Sequence, residues 1–157
     1  MARKRAKPNK RLYTVAEANA ALPLIRSIVR DIATLARELQ ERHDRLVRLQ
    51  DPRAGKLDQA HREELEQVQE QFERDQERMA EYEDELRKLG VELKDYFSGL
   101  IDFRCRLGNR EVYLCWRLGE PEVAHWHELD AGFAGRQKLP PSADDGPAAT
   151  RTVISDT

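Results

Sequence analysis

Aromatic residues are scarce in this chain. Phe, Trp and Tyr make up 6% of its 157 residues, whereas Asp, Glu, Lys and Arg make up 36%. That balance favours long solvated helices over a thick globular core, in one small domain. No apolar run approaches the ~20 residues needed to cross a membrane. The N-terminus is basic but no apolar stretch follows it, so no secretory signal is expected. The two cysteines have no obvious partner, which points to a reducing compartment, and a cytoplasmic location is expected. A phosphate loop, a dinucleotide fingerprint and a Ser–His–Asp order are all missing, so no reaction can be named.

What is present is unevenly spread. Residues 1–11 carry Arg3, Lys4, Arg5, Lys7, Lys10 and Arg11 without an acid, which is +6 and leaves −8 on the remainder of a chain of net charge −2. Such a basic arm can meet nucleic acid or an acidic surface. The body, however, offers no basic face with interleaved aromatics to match it. Residues 140–157 are rich in Pro, Ala, Asp and Gly without periodicity and read as a disordered tail. The expected organisation is an arm over 1–12, one domain over 13–139, and the tail. Within the domain, 13–90 is helical and 91–139 holds a sheet and a Gly-rich loop.

Thr14-Val15-Ala16-Glu17 has the form of a capping box, so a helix starts there. Pro23 lacks an N–H and would clash with the Asn19 carbonyl, which predicts a kink or break over residues 19–22 and a long helix beyond. Leu22, Ile25, Val29, Ile32, Ala36, Leu39, His43 and Leu46 step by three and four, a heptad seam. A second long helix is predicted over about residues 58–89, with Leu65, Val68, Phe72, Asp75, Met79, Tyr82, Leu86 and Leu89 in the same spacing and Gly90 as its stop. Together they predict a long antiparallel, coiled-coil-like hairpin. A narrow stripe buries little surface, and Leu24, Ile28 and Leu35 suggest a second contact face. A homodimer, or packing of the sheet on one end of the hairpin, is therefore expected, with docking of a protein partner also open. The many glutamates of the second helix alternate with Arg62, Arg74, Arg78 and Arg87 and read as a solvated face. No Glu-x-x-His of the ferritin kind is present at His43 or His61, and His43 on the seam reads as packed.

Residues 100–136 hold both cysteines, both tryptophans and two of the four histidines. Residues 111–116 and 123–127 alternate with period two, which predicts strands. Leu107-Gly108-Asn109-Arg110 suits a two-residue hairpin turn. That turn puts Asp102 opposite Cys115 and Arg104 opposite Tyr113. A second turn at residues 118–122 puts Cys115 opposite His125 and Tyr113 opposite His127. The fold class is therefore α+β, a helical hairpin with a small three-stranded antiparallel sheet near the C-terminal end. Ile101, Phe103, Cys105, Val112, Leu114, Trp116, Ala124 and Trp126 fall on the other face as its core. Cys105 and Cys115 point to opposite faces, so no disulfide joins them.

The motifs at both ends of the ordered region, Tyr13-Thr14-Val15-Ala16-Glu17-Ala18-Asn19 and Leu22-Pro23-Leu24, then Gly90-Val91-Glu92-Leu93-Lys94-Asp95, Gly99-Leu100-Ile101-Asp102-Phe103, residues 111–120 and residues 125–136, resemble a bacterial family of uncharacterised proteins, domain of unknown function 2203. The resemblance covers about residues 13–139. It implies a self-contained domain and carries over no activity and no catalytic residue.

The chemistry must therefore come from the residues. His125 and His127 share one strand face, with Cys115 and Asp102 on neighbouring strands, and Asp130 close behind. Imidazole, thiolate and carboxylate at such spacing form a candidate zinc or iron site, with Asp102, Cys115, His125 and His127 as ligands. The bland alternative is a solvated polar face with Tyr113–His127 and Asp102–Arg pairs. Arg104, Tyr113, Arg117 and Arg136 are candidate ligand-binding residues for a small anion, and Gly132-Phe133-Ala134-Gly135 could turn backbone N–H groups towards it. The plainer reading of that loop is a turn with Phe133 plugging the core. Two classes of function stay open: a metal- or small-ligand-binding module on the sheet face, and a non-catalytic dimeric scaffold or adaptor.

Overall fold

The computed structural model describes residues 11–54 and 58–141. Helix α1 spans Val15–Gln50 and α2 spans Gln59–Lys88, and five strands follow: β1 Val91–Asp95, β2 Leu100–Leu107, β3 Arg110–Arg117, β4 His125–His127 and β5 Gln137–Lys138. Most of the basic arm and of the C-terminal tail lie outside the described residues.

The capping box forms as its residues require. Glu17 N–H donates to Thr14 Oγ1 at 3.0 Å, and Thr14 N–H donates to Glu17 Oε1 at 2.9 Å. No break follows. Pro23 lies inside one continuous helix, so of the expected kink or break the break is absent. Proline forfeits one hydrogen bond and costs about 3 kcal/mol. Val15, Ala18, Leu22, Ile25, Ile28, Val29 and Ile32 are all buried on both sides of it, and each large apolar side chain contributes about 1.5–3 kcal/mol on burial. Packing along the whole length outweighs the local defect.

The helices run antiparallel. Arg42 pairs with Asp75, His43 meets Phe72 in a tilted ring contact at 6.1 Å between centroids, Arg45 pairs with Glu64, and His61 Nε2 meets the Leu49 carbonyl at 2.8 Å. Asp75, expected on the apolar seam, is fully buried and neutralised across it by Arg42. Gly90, with φ of 80°, ends α2 as expected. Among the described residues, no helix is long and apolar enough to cross a membrane.

The sheet is antiparallel in the order β1-β2-β3-β4-β5, with five strands rather than three. β1 escaped the sequence pattern because its alternation is short and a bulge interrupts it between Leu93 and Asp95. β5 is only two residues long, and its pairing with β4 is a tertiary contact without periodicity of its own. The β2–β3 register pairs Asp102 with Cys115, Arg104 with Tyr113 and Leu107 with Arg110, and β3–β4 pairs Cys115 with His125 and Tyr113 with His127. Both expected registers are therefore present, with Gly108 at φ of 64° in the first turn.

Helix α1 lies across the sheet face that carries Ile101, Phe103, Cys105, Val112, Leu114 and Trp116, all buried in one core with it. Ile28 and Leu35 are buried in this core, whereas Leu24 is 57% exposed. Asn19 pins the crossing: its Oδ1 accepts from Val123 N–H at 2.7 Å. Tyr13 fastens the entry, donating its N–H to the Arg104 carbonyl at 2.7 Å and its hydroxyl to the Leu89 carbonyl at 2.5 Å. Gly99, at φ of 67°, is the point of closest approach, since a Cβ there would meet Val29 Cγ1 and Leu118 Cβ at 2.7 Å. Replacing Gly99 by Ala is expected to destabilise the fold by about 3 kcal/mol, combining left-handed strain with overpacking. Gly108→Ala, where no atom lies within 4 Å of the added carbon, is expected to show only the backbone part, about 1–2 kcal/mol. Chemical denaturation of both variants checks the difference.

Candidate metal centre

The sheet face turned away from α1 alternates with the core face. It carries Asp102 and Arg104 on β2, Tyr113, Cys115 and Arg117 on β3, and His125 and His127 on β4. Polar residues here are expected to be wet. Three are not: Asp102, Cys115 and His127 are 3%, 1% and 2% exposed. One donor atom from each lies within 4.8 Å of the other two.

Strand order explains the cluster. Cys115, with a short side chain, sits on the middle strand. Asp102 and His127 reach over it from the strands on either side, and His127 Nε2 comes within 3.1 Å of Asp102 Oδ2. The contact is diagonal, because His127 is registered against Tyr113 rather than Cys115. Neighbours offset by two residues are within reach of long side chains on a sheet face.

The protons follow from the partners. His127 Nδ1 lies 2.8 Å from the Glu128 carbonyl, which can only accept, so Nδ1 carries a hydrogen. That leaves Nε2 turned to the cluster, the arrangement in which a backbone carbonyl orients a metal-ligating imidazole. Burial raises the Asp102 carboxyl above its ordinary value, against the pull of His127, Lys94 and a hydrogen bond with Cys115. Asp102 Oδ1 is buried and has no hydrogen-bond partner. Burial, reinforced by the Asp102 charge, pushes the Cys115 thiol up to about 11, and Arg136 opposes this only in part.

The donor set fits a metal of borderline softness. Zinc binds Cys, His and carboxylate at about 2.0–2.3 Å, which places tetrahedral ligand atoms about 3.3–3.7 Å apart. The imidazole–carboxylate contact is already near that spacing, and the widest separation needs to shrink by about 1 Å.

His125 stands opposite Cys115, but its ring lies outside the three-donor cluster. Its Nδ1 is 3.9 Å from Glu120 Oε2 and is buried without a hydrogen-bond partner. Asp130 is exposed. The four candidate anion-binding residues are all engaged within the protein, Arg104 with Tyr113, and Arg117 and Arg136 on one shared ring. Arg136 grips Glu120 with both Nη atoms, at 3.0 and 2.5 Å, and its Nη1 is 4.0 Å from Cys115 Sγ. Burial favours the protonated Glu120, yet the Arg136 fork and the Arg117 N–H outweigh it and hold this carboxyl below its ordinary range. Arg117 lies over the Phe133 ring, Arg104 lies over Tyr113, and the Tyr113 hydroxyl donates to Glu92 at 2.8 Å. At the end of the glycine loop two N–H groups close its own turn, Gly135 to the Gly132 carbonyl at 2.9 Å and Arg136 to the Phe133 carbonyl at 3.1 Å. Phe133 is 37% exposed, so it does not plug the core. It carries the two guanidinium groups of Arg117 and Arg136 instead. The Glu120–Arg136 clamp and the Glu128 carbonyl had no signal in the sequence, since both depend on how the chain returns after β3.

Fold and site together define a small α+β domain, two antiparallel helices and a five-stranded sheet, with a buried Asp–Cys–His donor set on the sheet. Residues 11–139 match the family model described as "Uncharacterized conserved protein (DUF2203)", and the chain belongs to that family. No curated protein and no solved structure matches it.

The buried thiols have a consequence for stability. Cys105 and Cys115 keep their protons up to about 11 in the folded chain, against 9.0 for an ordinary thiol. Between those values the unfolded chain releases its thiol protons first, so stability falls as pH rises through the window. The expected loss is about 2 kcal/mol per thiol. Urea denaturation from pH 8.5 to 11 checks it: the decline should be shallower in Cys115→Ala than in the unaltered protein.

Proposed function

We propose that this domain is a metal-binding module that holds zinc or ferrous iron through Asp102, Cys115 and His127. The observation that carries the reading is the convergence of three chemically different donors, within 4.8 Å and sealed from solvent. Asp102 Oδ1, left without a partner in that setting, supports it, because a buried unpaired oxygen costs about 1–3 kcal/mol unless something binds it. His125, facing Cys115 with an unpartnered Nδ1, is assigned to the fourth position, directly or through a water. A metal there would supply a Lewis-acid centre. Arg136 beside Cys115, with Arg104, Tyr113 and Arg117 on the same face, would orient a small anionic ligand at the metal. The competing reading is a scaffold without metal, in which the triad is a closed polar network.

Elemental analysis of freshly purified protein separates the two. About one zinc or iron per chain is expected, absent in Cys115→Ser and His127→Ala and reduced in His125→Ala. At a free metal concentration a hundredfold above Kd the stabilisation is about 2.7 kcal/mol, or about 5–10 °C in Tm for a chain of this size. Protein that is metal-free, with a Tm that neither zinc, ferrous iron nor a chelator shifts, would leave the scaffold.

The Cys115 thiol must lose its proton to bind. Because that thiol is protonated up to about 11 without metal, affinity is expected to rise with pH, about tenfold per unit for each proton released. Competition with a chelator of known affinity at pH 6.5 and 7.5 measures this, and a pH-independent affinity would remove Cys115 from the ligand set.

A further inference from the structure

The helical pair outruns its cover. Beyond Ala36, Leu46 is the one buried residue among those described in α1, and ahead of Asp75 only Val68 is buried in α2. Along this stretch, among the described residues, the helices have each other and no third layer. Where the sheet stops, a groove of about 550 Å³ opens between them, lined by Leu39, His43, Phe72 and Met79 and bordered by Tyr96 and Phe97 from the β1–β2 turn.

Its composition is unlike the rest of the surface. Charged residues make up 36% of the chain, yet Glu83 is the only one of the ten lining residues that carries a charge. Three of the chain's eight Phe and Tyr residues line it. Depletion of charge with enrichment in Phe, Tyr and Met marks the core of a protein–protein interface. Beside the hollow stands a knob, Phe97, 48% exposed. A knob and a hollow on one patch are self-complementary, the condition for a two-fold interface.

The flanking charges select the same occupant. Helix α1 has six arginines against five acids, net +1, and α2 has five bases against eleven acids, net −6. Two copies related by a two-fold can set α1 of each against α2 of the other, pairing unlike charge. A strongly acidic partner would be repelled by α2. We infer that this groove seats a second copy of the chain, with Phe97 of each protomer entering the hollow of the other and the four helices closing into a bundle.

Sedimentation equilibrium of the full chain tests it. A mass of twice 18.2 kDa is expected at micromolar concentration. Phe97→Glu and Gln76→Glu both change exposed side chains and should leave helix content and metal content unaltered. Each is expected to weaken association about a hundredfold, the range of a central interface residue. A wild-type mass of one chain at 100 µM would overturn the inference, as would a dimer that both variants leave intact. A dimer that appears only when residues 1–10 or 142–157 are removed would also overturn it, since the groove would then belong to the chain's own end. The metal reading stands or falls separately, because it is scored on the variants of the sheet face.

Discussion

Cys115 and Trp116 are neighbours in the chain, and the pleat sends them to opposite faces of the sheet. The rest of the molecule depends on that alternation staying in step across β2, β3 and β4. On one face it collects Ile101, Phe103, Val112, Leu114 and Trp116 under α1. On the other it brings Asp102, Cys115 and His127 within reach of one atom. A slip of one residue in the β2–β3 turn would turn β3 over relative to β2. It would return Val112, Leu114 and Trp116 to water at about 1.5–3 kcal/mol each, a large part of the stability of a typical domain. The core therefore holds the site in register. The polar cluster does not need to be stabilising in itself, because the hydrophobic face has already fixed where its three donors stand.

That division of labour explains how the fold tolerates an unfavourable arrangement. Asp102 is buried with one oxygen unpartnered, and the thiol and carboxyl beside each other both lean towards their protonated forms. Taken alone, such a cluster costs stability. Its surroundings keep it closed. Arg136, clamped on Glu120 and seated on Phe133, stands against Cys115 on one side. The ring of Tyr113, tied through Glu92 to Lys94, stands against His127 on the other. These outer pairs satisfy one another, and the bonding capacity left over is at Asp102 Oδ1 within the triad and at Arg104 Nε and His125 Nδ1 beside it.

Much of this was legible from residue order. The capping box, the Gly90 stop, both strand registers and the family are present as read, because each rests on local chemistry or on strict alternation. Pro23 does not break the helix, because the buried positions flank the proline on both sides. β1 and β5 were missed because neither has enough residues to display a period. In the site, straight rows across the sheet put His125 with Asp102 and Cys115, whereas the cluster forms along the diagonal through His127. Register is a one-dimensional property and can be counted. Which of two histidines turns inward depends on the Glu128 carbonyl that orients one ring and on Glu120 beside the other, and both belong to the return of the chain rather than to the strand.

The same contrast governs the helices. Heptad spacing placed Asp75 on the seam, an odd member of an apolar row, and it is fully buried there. Arg42 reaches it from α1, and Gln71 and Arg78 from its own helix. Replacing such a pair by apolar residues often gains stability, so its value lies elsewhere. Leucines tolerate a shift of one helix along the other by a turn, but a buried carboxylate accepts one position only, the one where the guanidinium arrives. Asp75 thus fixes the axial offset of α1 and α2 one residue from Gln76 and three from Phe72, both of which line the open groove. A groove between two helices that no other described residue covers keeps its shape only if they cannot slide, and this buried ion pair, with Arg45 on Glu64 and His61 on the Leu49 carbonyl farther along, holds them in place.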